Sequence, residues 1–450
     1  MKDHFISILF GALLGYAFNI FEGIEMSYVS HILAFIGLSG LNAHIRVLKA
    51  TLRPYLKTTY FFGLAFHTVS LFWVGQALTF AQYTLGVDLS YCSYFASFAI
   101  ALILAVQFPV AFKIGGTRFW IIPFLLMDFM RSYSSTFFPW NFIGYTGTLW
   151  LSSFRFWRVF GSTAFLLILS QWQNYPKKGK MILGSLSALL ILDHFFYQKK
   201  TFDWYPYSIK VIQTNSGLKD RNFVRNFNTL VTLTLKGEKT DLIVWPESSV
   251  LMCLHSVPYL RQTIASLIPQ NSYIILGHIR LDNLLKFYVA LSVLNHKGEI
   301  ISTYAKQKLV PFGEYTPFLL NIPKLTAGKK AFTPGCAHQS LCSTALGDVI
   351  PLICYETAFP FLLHGSLAHK KAAMIVGISN DIWFGKSCGP FQHLHLARCR
   401  AIEAGKPFIR SVNAGISGLI APNGKIVSYI SFQKEDSLII KKIPIKLKPT

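Results

Sequence analysis

Apolar residues are unevenly distributed along this chain. Over the first 200 positions they form long runs, at about 5–21, 27–41, 60–81, 92–112, 119–138, 156–172 and 181–197. Several of these reach the roughly 20 residues that a bilayer-spanning helix needs, so the pattern predicts about seven spans. The runs at 27–41 and 156–172 are short for that purpose, and the second span is the least secure of the seven. The first run resembles the apolar core of a signal peptide. No small-residue cleavage site follows Phe21, so it reads as a retained span.

From about residue 207 the period changes. Short apolar stretches at 208–213, 241–245, 273–279, 287–294, 299–304, 349–354, 373–379, 408–412 and 418–421 read as strands. They alternate with helical patterns at about 220–235, 257–268, 357–369 and 390–404. Asn295-His296-Lys297-Gly298 and Pro422-Asn423-Gly424-Lys425 read as hairpin turns, glycine supplying the positive φ. Pro390 opens the last helix and Gly405-Lys406-Pro407 stops it. The expected organisation is a polytopic helical membrane domain over 1–198, an α/β catalytic domain over 199–435 and a C-terminal tail over 436–450.

Composition agrees with the membrane half. The 450 residues are 52% hydrophobic and only 14% charged, against about 25% charged in a soluble protein; the mean hydropathy is +0.41. Lys and Arg total 43 against 20 acids, a net charge of +23. Without Lys/Arg blocks or a nucleic-acid motif, that excess points to headgroups and positive-inside loops, not to nucleic acid. The seven cysteines (Cys92, Cys253, Cys336, Cys342, Cys354, Cys388, Cys399) include no CxxC pair, so neither a metal site nor a disulfide framework is expected.

The loops predict an orientation. Lys2, Arg46, Lys49, Arg53, Lys57, Lys113, Arg118, Lys177, Lys178 and Lys180 fall on the N-terminal side, against Arg131, Arg155 and Arg158 on the other. The N-terminus is therefore expected in the cytoplasm, and seven crossings put everything after about 198 outside it. For the three outer arginines two readings stand. One is structural pairing, as of Asp128 with Arg131 at i,i+3 spacing; the other is a cationic mouth for a phospholipid phosphate.

The candidate chemistry lies in the second half. Leu352-Ile353-Cys354-Tyr355-Glu356 delivers a cysteine at a strand end with a carboxylate two residues on. Upstream are Trp245-Pro246-Glu247 and the stretch from Lys306 to Phe312-Gly313-Glu314. A free thiol is only a few per cent thiolate at neutral pH, so it needs a base. Glu247 is the candidate base, Lys306 the oxyanion stabiliser and Cys354 the nucleophile, with the Tyr355 N–H as a second oxyanion donor. Glu314 and Glu356 would orient Lys306 or tune the site. Taken singly, each has a structural reading: Cys354 as a core residue, Glu247 as a helix cap, Lys306 as a surface lysine. The combination, in order at strand ends, favours acyl transfer through a thioester.

With those residues the chain resembles the nitrilase, or carbon–nitrogen hydrolase, superfamily and, within it, the membrane-bound apolipoprotein N-acyltransferase branch. Further matching stretches are Tyr304-Ala305-Lys306, Phe312-Gly313-Glu314-Tyr315, Ser379-Asn380-Asp381-Ile382-Trp383-Phe384-Gly385, Gly389-Pro390-Phe391-Gln392-His393 and Ala397-Arg398. In the first half Asp128, Arg131 and Phe138-Pro139-Trp140 through Gly144-Tyr145 also match. The resemblance implies an αββα sandwich and a Glu247–Lys306–Cys354 triad, with Glu314, Tyr355 and Glu356 as supporting positions and no cofactor. It implies a bacterial inner-membrane enzyme with a periplasmic catalytic domain and a membrane-held acyl donor, a phospholipid such as phosphatidylethanolamine cleaved at sn-1. The implied acceptor is the α-amino group of a diacylglyceryl apolipoprotein. Trp383 and Phe384 are candidates for a lid or acyl-chain contact, or for ordinary packing. Two departures are noted. The branch's last membrane helix is not expected in 436–450, and the stretch Gln213 to Asp220 lacks the branch's usual aromatic. Three other readings remain open: an extracytoplasmic amidase, a non-catalytic lipoprotein-binding protein, and, weakly supported, a transporter.

Overall fold

The computed structural model describes residues 2–19, 29–48, 52–85, 93–154, 157–199, 201–217, 223–315, 331–344, 346–363 and 371–445. Lys49, Cys92, Arg155, residues 218–220, 364–369 and 446–450 lie outside that set, as do the side chains of Lys2 and Arg53. Two compact units are present. One comprises 1–82, 87–200 and the short segment 386–392; the other comprises 83–86, 201–385 and 393–450.

The first unit is helical: α1 Lys2–Tyr16, α2 Val29–Val47, α3 Leu52–Ser70, α4 Trp73–Leu85, α5 Ser93–Ala105, α6 Gln107–Phe119, α7 Ile121–Arg131, α8 Arg158–Ser170 and α9 Lys177–Gln198. Among the described residues, Ser93–Phe119 and Lys177–Gln198 are long and apolar enough to cross a membrane. A third crossing is counted if Tyr55–Ser70 and Trp73–Thr79, bent by 54°, act as one. His4–Tyr16 and Arg158–Ser170 are apolar but shorter, and the run expected over 119–138 is helical only to Arg131.

For Arg131 the structure takes the pairing alternative. Its Nη1 lies 3.0 Å from both Asp128 Oδ1 and Gln107 Oε1, and its Nη2 donates to Asn141 Oδ1 at 3.2 Å. Asn141 in turn donates to Ser70 Oγ at 2.8 Å. In the same unit, Gln392 Oε1 accepts the indole N–H groups of Trp73 (2.9 Å) and Trp140 (2.8 Å). Its Nε2 donates to Asn19 Oδ1 (2.9 Å) and to the Ser70 carbonyl (3.0 Å). A buried amide in apolar surroundings is stable only when satisfied in this way.

The second unit is an α/β sandwich of two main sheets. The first runs β14-β2-β3-β5-β6-β7, with β4 (Val250–Cys253) on β5. Its strands are β2 Ile209–Gln213, β3 Leu242–Val244, β5 Tyr273–Leu281, β6 Phe287–Asn295, β7 Ile300–Ala305 and β14 Asp436–Ile440. The second runs β13-β12-β11-β10-β9-β8, from β13 Ile426–Ile430 through β12 Ser417–Ile420, β11 Phe408–Asn413, β10 Met374–Asn380 and β9 Gly347–Ile353 to β8 Cys342–Thr344. A two-stranded pair, β1 Asp203–Tyr205 with β15 Ile443–Ile445, completes the set. Side chains alternate across each strand. Ile209, Val211, Leu242, Val244 and Ile275 thus meet Val349, Ile353, Val376, Ile378 and Ile409 of the other sheet in one core. The alternate residues Ile212, Ile243, Ile274 and Leu276 turn outward and are covered by Leu230 and Leu233 of α10 (Phe223–Leu235) and Leu260 and Ile264 of α11 (Pro258–Ala265).

Two expectations are corrected here. The stretch 436–445 is not a loose tail: β14 pairs antiparallel with β2, and Leu438, Ile440 and Ile443 enter the core. The helix expected over 357–369 begins instead as 3₁₀ turns, Cys354–Ala358 and Pro360–Leu363. Pro360 forces the residue before it out of helical geometry, and Phe359 is extended, with φ −99° and ψ 104°.

Candidate functional site

Three strand ends converge in the second unit. Glu247 lies just past β3, Lys306 directly follows β7 and Cys354 directly follows β9. β3 and β5 are parallel, and β6 is antiparallel to both β5 and β7, so β3 and β7 end on the same side of the first sheet. Trp245 anchors the Glu247 arm through its backbone N–H to the Ile275 carbonyl (2.9 Å) and its indole to Thr234 Oγ1 (2.9 Å). Gly277 leaves room for that arm: a Cβ there would lie 2.9 Å from Glu247 Cα. Lys306 is held by its N–H to the Val289 carbonyl and its carbonyl to the Gly335 N–H, both at 2.8 Å.

The candidate residues meet. Lys306 Nζ donates to Glu247 Oε1 at 3.1 Å and to Glu314 Oε1 at 2.7 Å. Glu247 Oε2 accepts the Asn380 N–H at 3.0 Å, and its carboxyl lies beside the Cys354 thiol. Glu314 is fixed from the other side by the Val310 N–H, at 2.8 Å. Lys306 and Glu247 are both buried. Burial works to lower the Lys306 ammonium, and the carboxylates of Glu247 and Glu314 overcome it, holding the lysine charged. Burial pushes the Glu247 carboxyl above the ordinary carboxylate range, with Lys306 pulling against it. Burial, and then the Glu247 charge, push the Cys354 thiol well up. At rest this is a thiol beside a carboxyl group.

The carbon-nitrogen hydrolase family description matches residues 209–447, more than half of the chain. The chain belongs to the carbon–nitrogen hydrolase family. Residues 10–172 match a second description, the apolipoprotein N-acyltransferase N-terminal domain. Among curated relatives, an apolipoprotein N-acyltransferase of Rhizobium leguminosarum is 28% identical over 86% of this chain and 80% of its own length. Those of Rickettsia typhi (28% identical, 87% of this chain and 84% of that one) and Rickettsia prowazekii (27%, 99% and 93%) are similar to it over comparable or greater lengths.

The remaining candidates of this carbon–nitrogen hydrolase site divide by what they touch. Glu356 does not reach Lys306 directly. It accepts from Tyr304 Oη (2.9 Å) and from the N–H groups of Gln307 (2.6 Å) and Ile353 (2.8 Å), so it ties the end of β7 to the end of β9. Burial pushes its carboxyl up to about 7. The Tyr355 ring packs edge-on against Phe359, 5.1 Å between centroids, while its amide lies in the first turn of the 3₁₀ helix. Trp383 is half-buried, whereas Phe384 is buried with its ring edge-on to His393 at 5.7 Å, a packing contact.

Sequence reasoning gave no role to Ser379, Asp381, His393 or Arg410, although three of them stand in the matching stretches. The structure brings Ser379, Asp381 and His393 beside Cys354, with Arg410 against Asp381 and His393. Asp381 Oδ1 accepts from Ser379 Oγ (2.7 Å) and faces His393 Nδ1 (2.8 Å), while Asp381 Oδ2 accepts from Arg410 Nη2 (2.6 Å). Burial works to raise the Asp381 carboxyl, and the facing His393 and then Arg410 hold it below the ordinary carboxylate range. A charged residue at mid-strand, such as Arg410 in β11, is the one signal the sequence offered.

Proposed function

We propose that this protein is an apolipoprotein N-acyltransferase, moving a fatty acyl chain from a phospholipid to the α-amino group of an N-terminal diacylglyceryl-cysteine. The observation that carries the reading is the buried Lys306 clamped between Glu247 and Glu314, with the Cys354 thiol beside them. The names of the relatives supply the acceptor, and the apolar first half supports a membrane-held donor.

Glu247 takes the Cys354 proton as the sulfur attacks the acyl ester carbonyl. The tetrahedral oxyanion is met by the Lys306 ammonium and the Tyr355 N–H. Collapse breaks the ester C–O bond, and the departing lysophospholipid oxygen recovers the proton from Glu247. The lipoprotein amine then attacks the thioester and yields its proton to Glu247. The C–S bond breaks, and the Cys354 thiolate is reprotonated. A thioester facing water would hydrolyse, so transfer requires a site closed to water, and Trp383 with Phe384 is our candidate for that wall.

In this reading the first unit crosses the membrane about seven times, N-terminus in the cytoplasm, with the hydrolase-like unit outside in the periplasm. Intact mass spectrometry of the full chain with phosphatidylethanolamine, beside Cys354→Ala, tests the chemistry. One added fatty acyl mass is expected, absent in the variant and cleared by a diacylated lipopeptide. An unmodified protein with the lipopeptide still diacylated would redirect the assignment to an amidase of the same family.

A further inference from the structure

We propose that Asp381, His393 and Arg410 form a positioning unit that holds the Cys354 turn by its carbonyl oxygen. Cys354 has φ +50°, a left-handed conformation that a cysteine adopts only when its surroundings impose it. Strain of this kind needs a fixed partner on the backbone. His393 Nε2 lies 3.1 Å from the Cys354 carbonyl oxygen. A carbonyl only accepts, so the contact is a hydrogen bond when Nε2 carries the proton.

The ring is itself held on three sides. Asp381 faces Nδ1 at 2.8 Å, Arg410 Nη2 lies 3.2 Å from the same nitrogen, and Phe384 meets the ring edge-on. Arg410 is locked in turn by its Nε–H to the Ile416 carbonyl at 3.1 Å. Gly415 closes the arrangement, since a Cβ there would lie 2.7 Å from Asp381 Oδ2. From the thiol side, Ser379 lies beside Cys354 and its Oγ donates to Asp381. One carboxylate thus fixes both the backbone and the side-chain neighbours of the sulfur. Buried ion pairs of this kind are often replaceable by apolar residues without loss of stability, so their presence calls for a positional reason. Directional restraint of the nucleophile is that reason.

The inference rests on the reading of Cys354 as the acyl-carrying nucleophile, and the experiment separates the two. Full-length protein with phosphatidylethanolamine is compared as wild type, His393→Leu, His393→Gln and Asp381→Asn. Two rates are read at Cys354: single-turnover acyl adduct formation, and alkylation by iodoacetamide resolved by peptide mass. His393→Leu is expected to slow both by about a hundredfold, the scale of a misplaced reacting group, with KM for the phospholipid unchanged. His393→Gln, whose amide can reach the same carbonyl, is expected to recover to within about tenfold of wild type, and Asp381→Asn to fall between. If His393→Leu unfolds, the ordering of wild type, His393→Gln and Asp381→Asn decides in its place. Folded variants that react like wild type overturn the proposal. So does a loss of rate that only follows the unfolded fraction, with His393→Gln no better than His393→Leu. A wild type that alkylates rapidly but never acylates, with alkylation slowed in the variants, overturns the transferase reading and leaves the positioning unit standing.

Discussion

Lys306 is buried between two carboxylates, and that placement decides what its loss would do. Replacing it by Met leaves Glu247 and Glu314 close together without a cation. Breaking a buried pair from one side costs about 3 to 5 kcal/mol, so Lys306→Met should unfold the catalytic unit earlier in a denaturant series as well as abolish turnover. Glu247→Gln should behave differently, because an amide can still accept from Lys306. Its N–H₂ then faces the Asn380 N–H, so the unfolding midpoint should drop, though less than for Lys306→Met, while acyl adduct formation falls by about 10²- to 10⁴-fold, the range for removing a general base. Glu356 gives a pH dependence. Its folded-state carboxyl is raised to about 7 from the ordinary value of 4.5, so the folded protein holds that proton more tightly than the unfolded chain. The stability it contributes is complete below the lower value and is lost as pH rises through the upper one. Thermal unfolding of Glu356→Gln should show a lower midpoint, because the amide N–H₂ turns on the Ile353 N–H. It should also show a shallower decline between those pH values. An unchanged slope would remove Glu356 from that role.

At the scale of elements, the site depends on strands being able to approach the arms they carry. Gly277→Val would drive a side chain into the Glu247 backbone, 2.9 Å from where its Cβ begins. The expected result is a folded protein with acyl adduct formation reduced about a hundredfold, read by the same mass assay. Strands were the legible part of the sequence, since runs such as Ile209–Gln213 and Met374–Asn380 are rich in β-branched apolar residues. The strands Val250–Cys253 and Cys342–Thr344 escaped notice because three or four residues carry too little period to read. The Cys354 turn was hidden differently. Nothing in Leu-Ile-Cys-Tyr announces a positive φ, which is imposed by contacts with residues up to 39 positions away, as the His393 bond shows. Glu247, Lys306 and Cys354 were legible as reactive types at strand ends. The Asp381–His393–Arg410 group was not, because only the fold makes these three neighbours.

For the whole molecule, orientation is the property that the proposed reaction needs and that loop charge predicts. Cys336 is exposed in the second unit. In cells stripped of their outer barrier, a membrane-impermeant maleimide should label Cys336 without permeabilisation if that unit lies outside the cytoplasm. Labelling that requires permeabilisation would reverse the topology. The +23 net charge also predicts that the solubilised protein binds vesicles containing anionic lipid more strongly at low salt than at high.

The Glu247–Lys306–Glu314 clamp has one more consequence. Two carboxylates and one ammonium sum to a single negative charge. In the proposed first step the Cys354 proton neutralises Glu247 and that charge passes to the sulfur, so the total over clamp and thiol together is unchanged. The first step therefore relocates charge inside the site without adding any to the interior. The electrostatic work of assembling that charge is done once, when the chain folds, and each catalytic cycle begins and ends on the same total. A site built on that principle should hold its ground state nearly indifferent to bulk ionic strength, even where docking of its lipid substrates is not.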